Sequence, residues 1–260
     1  MFTIFIYLLI YMTDTSYLTI SKFFEFIDRR TPPMFNHDTM LIIGCIINSI
    51  LFAEECISQI DPATPDGKEI LELEGMTGTK TRHLYNNICS NLTSVKYLEI
   101  GTWNGSSSVS AIYKNNIDAV FIDNWCQFGG TSEVFQKNIT KFNSDSRFSL
   151  VESDCWKVDL SKIGPFNVYL YDGDHTELDH FKALEYYLPV LEPDFVFLVD
   201  DWNWPEVRDG TMRAIRELDL TIKFRHEIFV SSEEIKNSPY HKGRETWWNG
   251  CGVFLLSKKI

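Results

Sequence analysis

Short apolar runs alternate with stretches of helical spacing along the middle and C-terminal parts of the chain. Seven runs read as strands: Val95–Ile100, Ala119–Ile122, Phe148–Glu152, Phe166–Leu170, Phe195–Val199, Ile222–Val230 and Gly252–Leu256. Strands separated by helical patterns predict βαβ units and a mainly parallel sheet. The last two strands are expected to pair antiparallel. Leu84, Ile88 and Leu92 fall on one face of a helix spanning Lys68–Asn91, with a glycine-broken middle at Glu74–Thr79. Leu178, Phe181, Leu184, Leu188 and Leu191 give an apolar face to a helix starting near Thr176, and Met212, Ile215 and Leu218 predict another. The polar stretch Ser231–Gly250, with Trp247-Trp248, is too long for a tight hairpin and is expected to be a functional loop.

The N-terminal part reads differently. Asp61-Pro-Ala-Thr-Pro-Asp-Gly67 is a dense cluster of breakers and the best boundary, dividing a helical extension (1–66) from an α/β domain (67–260). Phe2–Met12 is apolar but short of the ~20 residues a membrane span needs. It also lacks the basic residues and cleavage site of a signal peptide. Met40–Ala53 follows Arg29-Arg30 and a Pro32-Pro33 break, and is interrupted by Asn48 and Ser49; a buried helix is expected. The apolar N-terminus leaves a membrane anchor open, and any homo-oligomer is expected to use this region.

With 260 residues, 44% of them hydrophobic, the chain can bury a sizeable core. Its net charge of −12 argues against wrapping a nucleic-acid backbone. The six cysteines form no CxxC pair and no regular framework, so mostly buried free thiols are expected. Asn91-Leu-Thr, Asn104-Gly-Ser and Asn138-Ile-Thr match the glycosylation pattern, but a glycan on Asn104 would block the turn described next; a cytoplasmic location is expected.

The first strand breaks into Glu99-Ile-Gly101-Thr-Trp-Asn-Gly105 and restarts as a helix at Ser106. Glycines at such a turn let the backbone pass close to a ligand. A dinucleotide fingerprint needs GxGxxG and a pyrophosphate on the helix end. Here the middle glycine is missing and Glu99 repels phosphate, whereas a cationic amino-acid end would be attracted, which points to S-adenosylmethionine. Asp123, at the end of the second strand, is placed for the ribose hydroxyls, and Asp154, in Glu152-Ser-Asp-Cys155, for adenine; strand-end capping is the alternative for both. Tyr171-Asp172-Gly-Asp174-His175 closes the fourth strand and Val199-Asp200-Asp201-Trp202 the fifth. Neighbouring strands would bring Asp172, Asp200 and Asp201 to one point. Three carboxylates cannot sit together ionised without a cation or raised pKa values, and hard oxygen donors suit Mg²⁺.

These residues resemble class I S-adenosylmethionine-dependent methyltransferases. Within that class the chain from about Gly67 to Ile260 is similar to the metal-dependent sugar O-methyltransferases of the macrocin/novobiocin type and the related cephalosporin-hydroxylase-like group. The resemblance implies an α/β, Rossmann-like, seven-stranded, mostly parallel sheet with helices on both faces. It implies S-adenosylmethionine and Mg²⁺ or another divalent cation as cofactors, and a small-molecule or glycan acceptor. It implies Asp172, Asp200 and Asp201 as metal ligands and Asp174 as general base, with His175 a rival base or a structural partner. The expected donor site comprises Glu99, Gly101, Thr102, Asn104, Gly105, Ser106, Ser107, Asp123, Asn124, Asp154, Cys155 and Asp172, with Gly75-Met76-Thr77 a candidate cover. Trp202, Trp204, Trp247 and Trp248 could stack on an acceptor or pack as a lid. A catechol-type methyltransferase shares the metal logic. An NAD enzyme lacks support in the glycine pattern, an RNA 2′-O-methyltransferase in the charge, and a non-catalytic module would not need the acids.

Overall fold

The computed structural model describes residues 36–231 and 246–259. Phe2–Met12, Arg29-Arg30, Pro32-Pro33 and most of Ser231–Gly250 lie outside the described residues. Five strands run parallel: β1 (Lys96–Ile100), β2 (Asp118–Asp123), β3 (Arg147–Glu152), β4 (Phe166–Tyr171) and β5 (Leu191–Asp200). With β6 (Thr221–Ile228) and β7 (Cys251–Ser257) they form one sheet of order β3-β2-β1-β4-β5-β7-β6. The last two strands do pair antiparallel; β7 also lies antiparallel against β5, inserted between it and β6. Because β1 pairs with β2 on one side and β4 on the other, the winding reverses there, and the reversal opens a crevice at the carboxyl ends of these strands.

Alternating residues of the central strands face two apolar layers. Tyr97, Phe121, Leu170 and Leu198 join one cluster with α1 (His37–Glu54), α3 (Thr79–Asn91), α4 (Ser106–Ile112) and α5 (Ser132–Phe142). Leu98, Ile122, Tyr169 and Phe197 join the other with α6 (Glu177–Tyr187) and α7 (Pro205–Glu217). Both faces of the sheet are covered, so its inner strands are nearly continuous apolar runs, as parallel sheets require. The expected buried helix is α1, capped by Asn36 and burying Ile43, Ile46, Ile47, Ile50 and Ala53. That face shares its cluster with the sheet. Leu41 and Phe52, on the remaining surface, are exposed, and α1 is long and apolar enough to cross a membrane by length and composition.

Two helical expectations need correction. The buried face of α6 is His180, Ala183, Leu184 and Tyr187; of the expected series Leu184 lies on it and Phe181 and Leu188 pack at its margin, but Leu178 is exposed and Leu191 already belongs to β5. The i, i+3, i+4, i+7 spacing was present but carried by a histidine and a tyrosine. The helix expected from Lys68 is two helices, α2 (Pro65–Glu72) and α3, with an irregular link between them. Buried Arg82 holds that link. Its Nη1 donates to the Ile70 carbonyl at 2.6 Å, Nη2 to Leu73 at 2.9 Å and Nε to Thr77 at 3.1 Å. Arginine's planar fork suits three acceptors arrayed around one spot.

Replacing Arg82 leaves those carbonyls without their donor in a dry interior. Arg82→Ala is expected to cost about 3 kcal/mol or more, and Arg82→Lys to recover only part of it. Urea unfolding measures both; a loss under 1 kcal/mol for the alanine variant would contradict this role.

Candidate active site

The turn after β1 is built by close approach. Gly101 has φ +84, and a Cβ there would lie 1.9 Å from the Asp172 carbonyl oxygen, so only glycine fits. Gly105, at φ +86, caps α4. Asp123 ties this turn to the next: Oδ2 accepts N–H bonds from Thr102 and Trp103 and Oδ1 one from Trp125, all at 2.8 Å. The Asn104 carbonyl accepts from Asn138 Nδ2 at 2.8 Å. The Thr102 hydroxyl is buried without a hydrogen-bond partner.

Glu99 does not present itself as a bare anion. It is fully buried; Oε1 accepts from Ser107 Oγ (2.6 Å) and Ser108 Oγ (2.8 Å), and Oε2 from the Tyr97 hydroxyl (3.0 Å). Burial pushes its pKa up to about 7 against the pull of the three hydroxyls. Ser106 Oγ is likewise turned inward, 3.1 Å from Thr77 Oγ1. Gly75 packs against the same Ser106 so tightly that a Cβ would fall 2.0 Å from its Oγ. The side chains of Glu99, Ser106 and Ser107 therefore hydrogen-bond within the protein and shape the turn from beneath. A lone acid before a glycine turn carries no signal of which side it faces.

At the far edge the capping alternative is realised. Asp154 accepts from Trp156 N at 3.0 Å, opening a single 3₁₀ turn at Cys155–Lys157, and pairs with Lys157 Nζ at 2.9 Å. Asn124 similarly accepts from Cys126 N at 3.0 Å. The Cys155 thiol is pushed up to about 12, chiefly by burial. All six cysteines are free as expected, but only Cys89 and Cys251 are fully buried.

The acids after β4 and β5 do come together, with one exchange of partner. Asp172, His175 and Asp201 place ligand atoms within 4.8 Å of one another. His175 Nε2 stands 2.5 Å from Asp201 Oδ2 and 4.0 Å from Asp172 Oδ1. The shorter contact lacks hydrogen-bond alignment, and Nε2 is a buried atom without a hydrogen-bond partner. Asp200, expected in this set, lies instead on the inner face with Leu198, as strand alternation requires. Its carboxyl bonds to that of Asp172, while its Oδ1 is buried without a hydrogen-bond partner. Asp201 escapes that face because its backbone turns left-handed, φ +54, and Asn249 Nδ2 donates to its Oδ1. Burial and neighbouring carboxylates hold Asp172 and Asp200 well above the usual carboxylate range.

Around this centre, Asp174 is exposed and accepts from Gln127 Nε2 at 3.0 Å. His180 packs edge-on to Tyr171 with both ring nitrogens unpartnered, and burial lowers its pKa to about 3, so it is neutral. Trp202, Trp247 and Trp248 are buried packing residues; Trp204 alone of the four is exposed, its ring 4.9 Å from that of His175. Gln127 and Asn249 had no motif to reveal them, being 47 and 48 residues from their partners.

Residues 98–202 match the family model described as a methyltransferase domain, a segment running from β1 to the turn after β5. No curated protein matches the sequence. A Streptococcus mutans protein classed provisionally as a SAM-dependent methyltransferase superposes with a TM-score of 0.50 at 10% identity, over 71% of this chain and 50% of that one. For TrmN from Thermus thermophilus the values are 0.47, 13%, 74% and 52%. For the O-methyltransferase TomG from Streptomyces achromogenes, solved with SAM, they are 0.39, 15%, 80% and 89%. The chain spans about half the length of the first two. The sheet is Rossmann-like, and the segment 98–202 within it is similar to a methyltransferase domain. The matched segment contains the Gly101–Gly105 turn and every acid of the second cluster.

Glu99 gives a pH signature. Its folded-state pKa of about 7 lies above the ordinary 4.5, so the folded protein binds the extra proton first. Between pH 7 and 4.5 the wild type should gain roughly 3 kcal/mol relative to Glu99→Gln, at about 1.4 kcal/mol per pH unit. Chemical denaturation of both proteins across that window measures the difference; a constant gap would refute the assignment.

Proposed function

We propose that the chain is an S-adenosylmethionine-dependent O-methyltransferase assisted by a divalent cation. Its acceptor is a hydroxyl of a sugar or another vicinal-diol small molecule or glycan. One observation carries the reading: the glycine turn after β1 and the carboxylates after β4 and β5 meet at one edge of the sheet, where Gly101 touches the Asp172 backbone. The residues fit both groups. Asp200 Oδ1 and His175 Nε2 are orphaned buried atoms beside Asp172 and Asp201, a donor set suited to a divalent ion. The Thr102 hydroxyl is a similar orphan in the turn, and Gly101 keeps the backbone close.

When bound, the two cofactors supply a sulfonium methyl and a Lewis acid that lowers the pKa of an acceptor hydroxyl. The chain does the rest. Asp172 and Asp201 would hold the cation, with buried Asp200 beside them. Asp123 has spent three of about four lone-pair directions on backbone N–H groups, leaving one for a ribose hydroxyl. Asp154 lies beyond it for the adenine. Asp174, exposed and steadied by Gln127, takes the hydroxyl proton, with His175 the second candidate. Adjacent strands set the two sites side by side, and this positioning contributes much of the rate. The exposed Trp204 ring beside His175 favours a planar catechol-type acceptor as the second reading.

Calorimetry tests the reading. The wild type is expected to bind S-adenosylmethionine, and Asp123→Ala to bind it at least about tenfold more weakly, the loss of roughly 1.4 kcal/mol of contact. Asp172→Asn should abolish divalent binding, because it removes an anionic oxygen donor from the ligand set. No cofactor binding by the wild type would overturn the proposal, and mass gain on polyol and catechol acceptors would separate the two substrate readings.

A further inference from the structure

We infer that His175 is a direct nitrogen ligand of the cation and that the site is built for a first-row transition ion such as Mn²⁺, Fe²⁺ or Co²⁺ rather than for Mg²⁺. This rests on the reading that these acids hold a divalent ion. Ligand atoms about 2.1 Å from one cation stand roughly 3–3.5 Å apart. The Nε2 separations of 2.5 Å from Asp201 and 4.0 Å from Asp172 straddle that range, so side-chain shifts of under about 1 Å bring all three onto one ion. The second observation is how the donors are left unspent. Nε2 is buried without a hydrogen-bond partner although a carboxylate oxygen lies beside it. Asp200 Oδ1, in a side chain 2% exposed, is orphaned as well.

The donors are held before any ion arrives. Asn249 occupies Asp201 Oδ1 and leaves Oδ2 toward His175. Trp204 flanks the imidazole. A purely carboxylate site would suit Mg²⁺, which prefers oxygen and retained water. Adding an imidazole moves preference along the series toward ions that accept nitrogen. With His175 committed to the cation, the hydroxyl proton falls to Asp174, which the same loop places outside the ligand cluster.

Pulsed EPR on the full chain loaded with Mn²⁺ reads this directly. The expected result is a single bound Mn²⁺ with imidazole nitrogen coupling, which changes when the protein carries ¹⁵N-histidine. His175→Ala should lose that coupling and bind Mn²⁺ at least about tenfold more weakly in calorimetry, while its Mg²⁺ affinity changes less than threefold. Should His175→Ala not fold, the isotope experiment on the wild type stands alone. Mn²⁺ bound without nitrogen coupling would overturn the ligand assignment and leave the metal-assisted reading intact. Binding of neither Mn²⁺ nor Mg²⁺ by a protein that still binds S-adenosylmethionine would overturn both.

Discussion

The structure is constrained above all by carboxylates that must share a space with little water. Glu99, Asp172 and Asp200 project from β1, β4 and β5 into the same layer that holds Tyr97, Leu170 and Leu198. A buried anion is expensive, and neighbouring like charges add to the cost. The chain meets that cost three ways. Glu99 is surrounded by three hydroxyl donors, which lowers the penalty of ionising it. Asp172 and Asp200 face each other, and burial with the neighbouring carboxylates holds both well above the usual carboxylate range. Asp201 leaves the layer through a left-handed turn and takes partners from outside the sheet. Each solution leaves the next acid nearer the crevice, so the cost is concentrated where a cation could relieve it.

Four of the left-handed residues lie along the same edge. Trp103, Trp125, Phe128 and Asp201 all have positive φ, a conformation that side chains other than glycine and asparagine rarely adopt. They sit on the turns after β1, β2 and β5. The first three also pack on one another or on a shared neighbour: Trp125 Nε1 donates to the Trp103 carbonyl at 2.8 Å, and the Trp103 and Phe128 rings meet edge to face. Such conformations persist only when surroundings over-determine them. Here Asp123 does so, by accepting from the turns after β1 and β2 at once. A residue read from spacing as a ligand contact is also the clamp that gives the ligand site its shape.

Much of this was legible in the sequence, and the exceptions have physical causes. The strands were visible because inner parallel strands are continuous apolar runs between glycine, aspartate and asparagine. The acids were visible because they end those runs. β5 begins at Leu191, before Phe195, because Glu192 and Asp194 lie at an edge where polar side chains reach solvent or lysine, as Asp194 reaches Lys223 at 2.7 Å. What could not be read was facing. Alternation sends Asp200 inward, and a single left-handed residue sends Asp201 outward; no composition or spacing predicts that φ. The same limit hid the inward turn of Glu99 and Ser107. Asn249, Gln127 and Arg82 were invisible because each acts through contacts set by the fold alone.

The placement of Asp174 bears on how an acceptor arrives. Its oxygen is bonded to Gln127, in the loop that follows β2, although its own strand is β4 and β1 lies between them. That bond links the loops after β2 and β4. Phe128, next to Gln127, is exposed, whereas Trp204 flanks the opposite side beside His175. Under the proposed reading, an acceptor reaching Asp174 would pass between an aromatic rim at exposed Phe128 on the β2 side and another at exposed Trp204 on the β5 side. A sugar ring presents apolar C–H faces to such a rim and hydroxyl edges to the acids; a catechol presents its π face to the rim and two hydroxyls to the acids. Under the proposed reading, an acceptor would compete with Gln127 for the Asp174 carboxylate, so this bond and the two aromatic rims would bear on acceptor choice together.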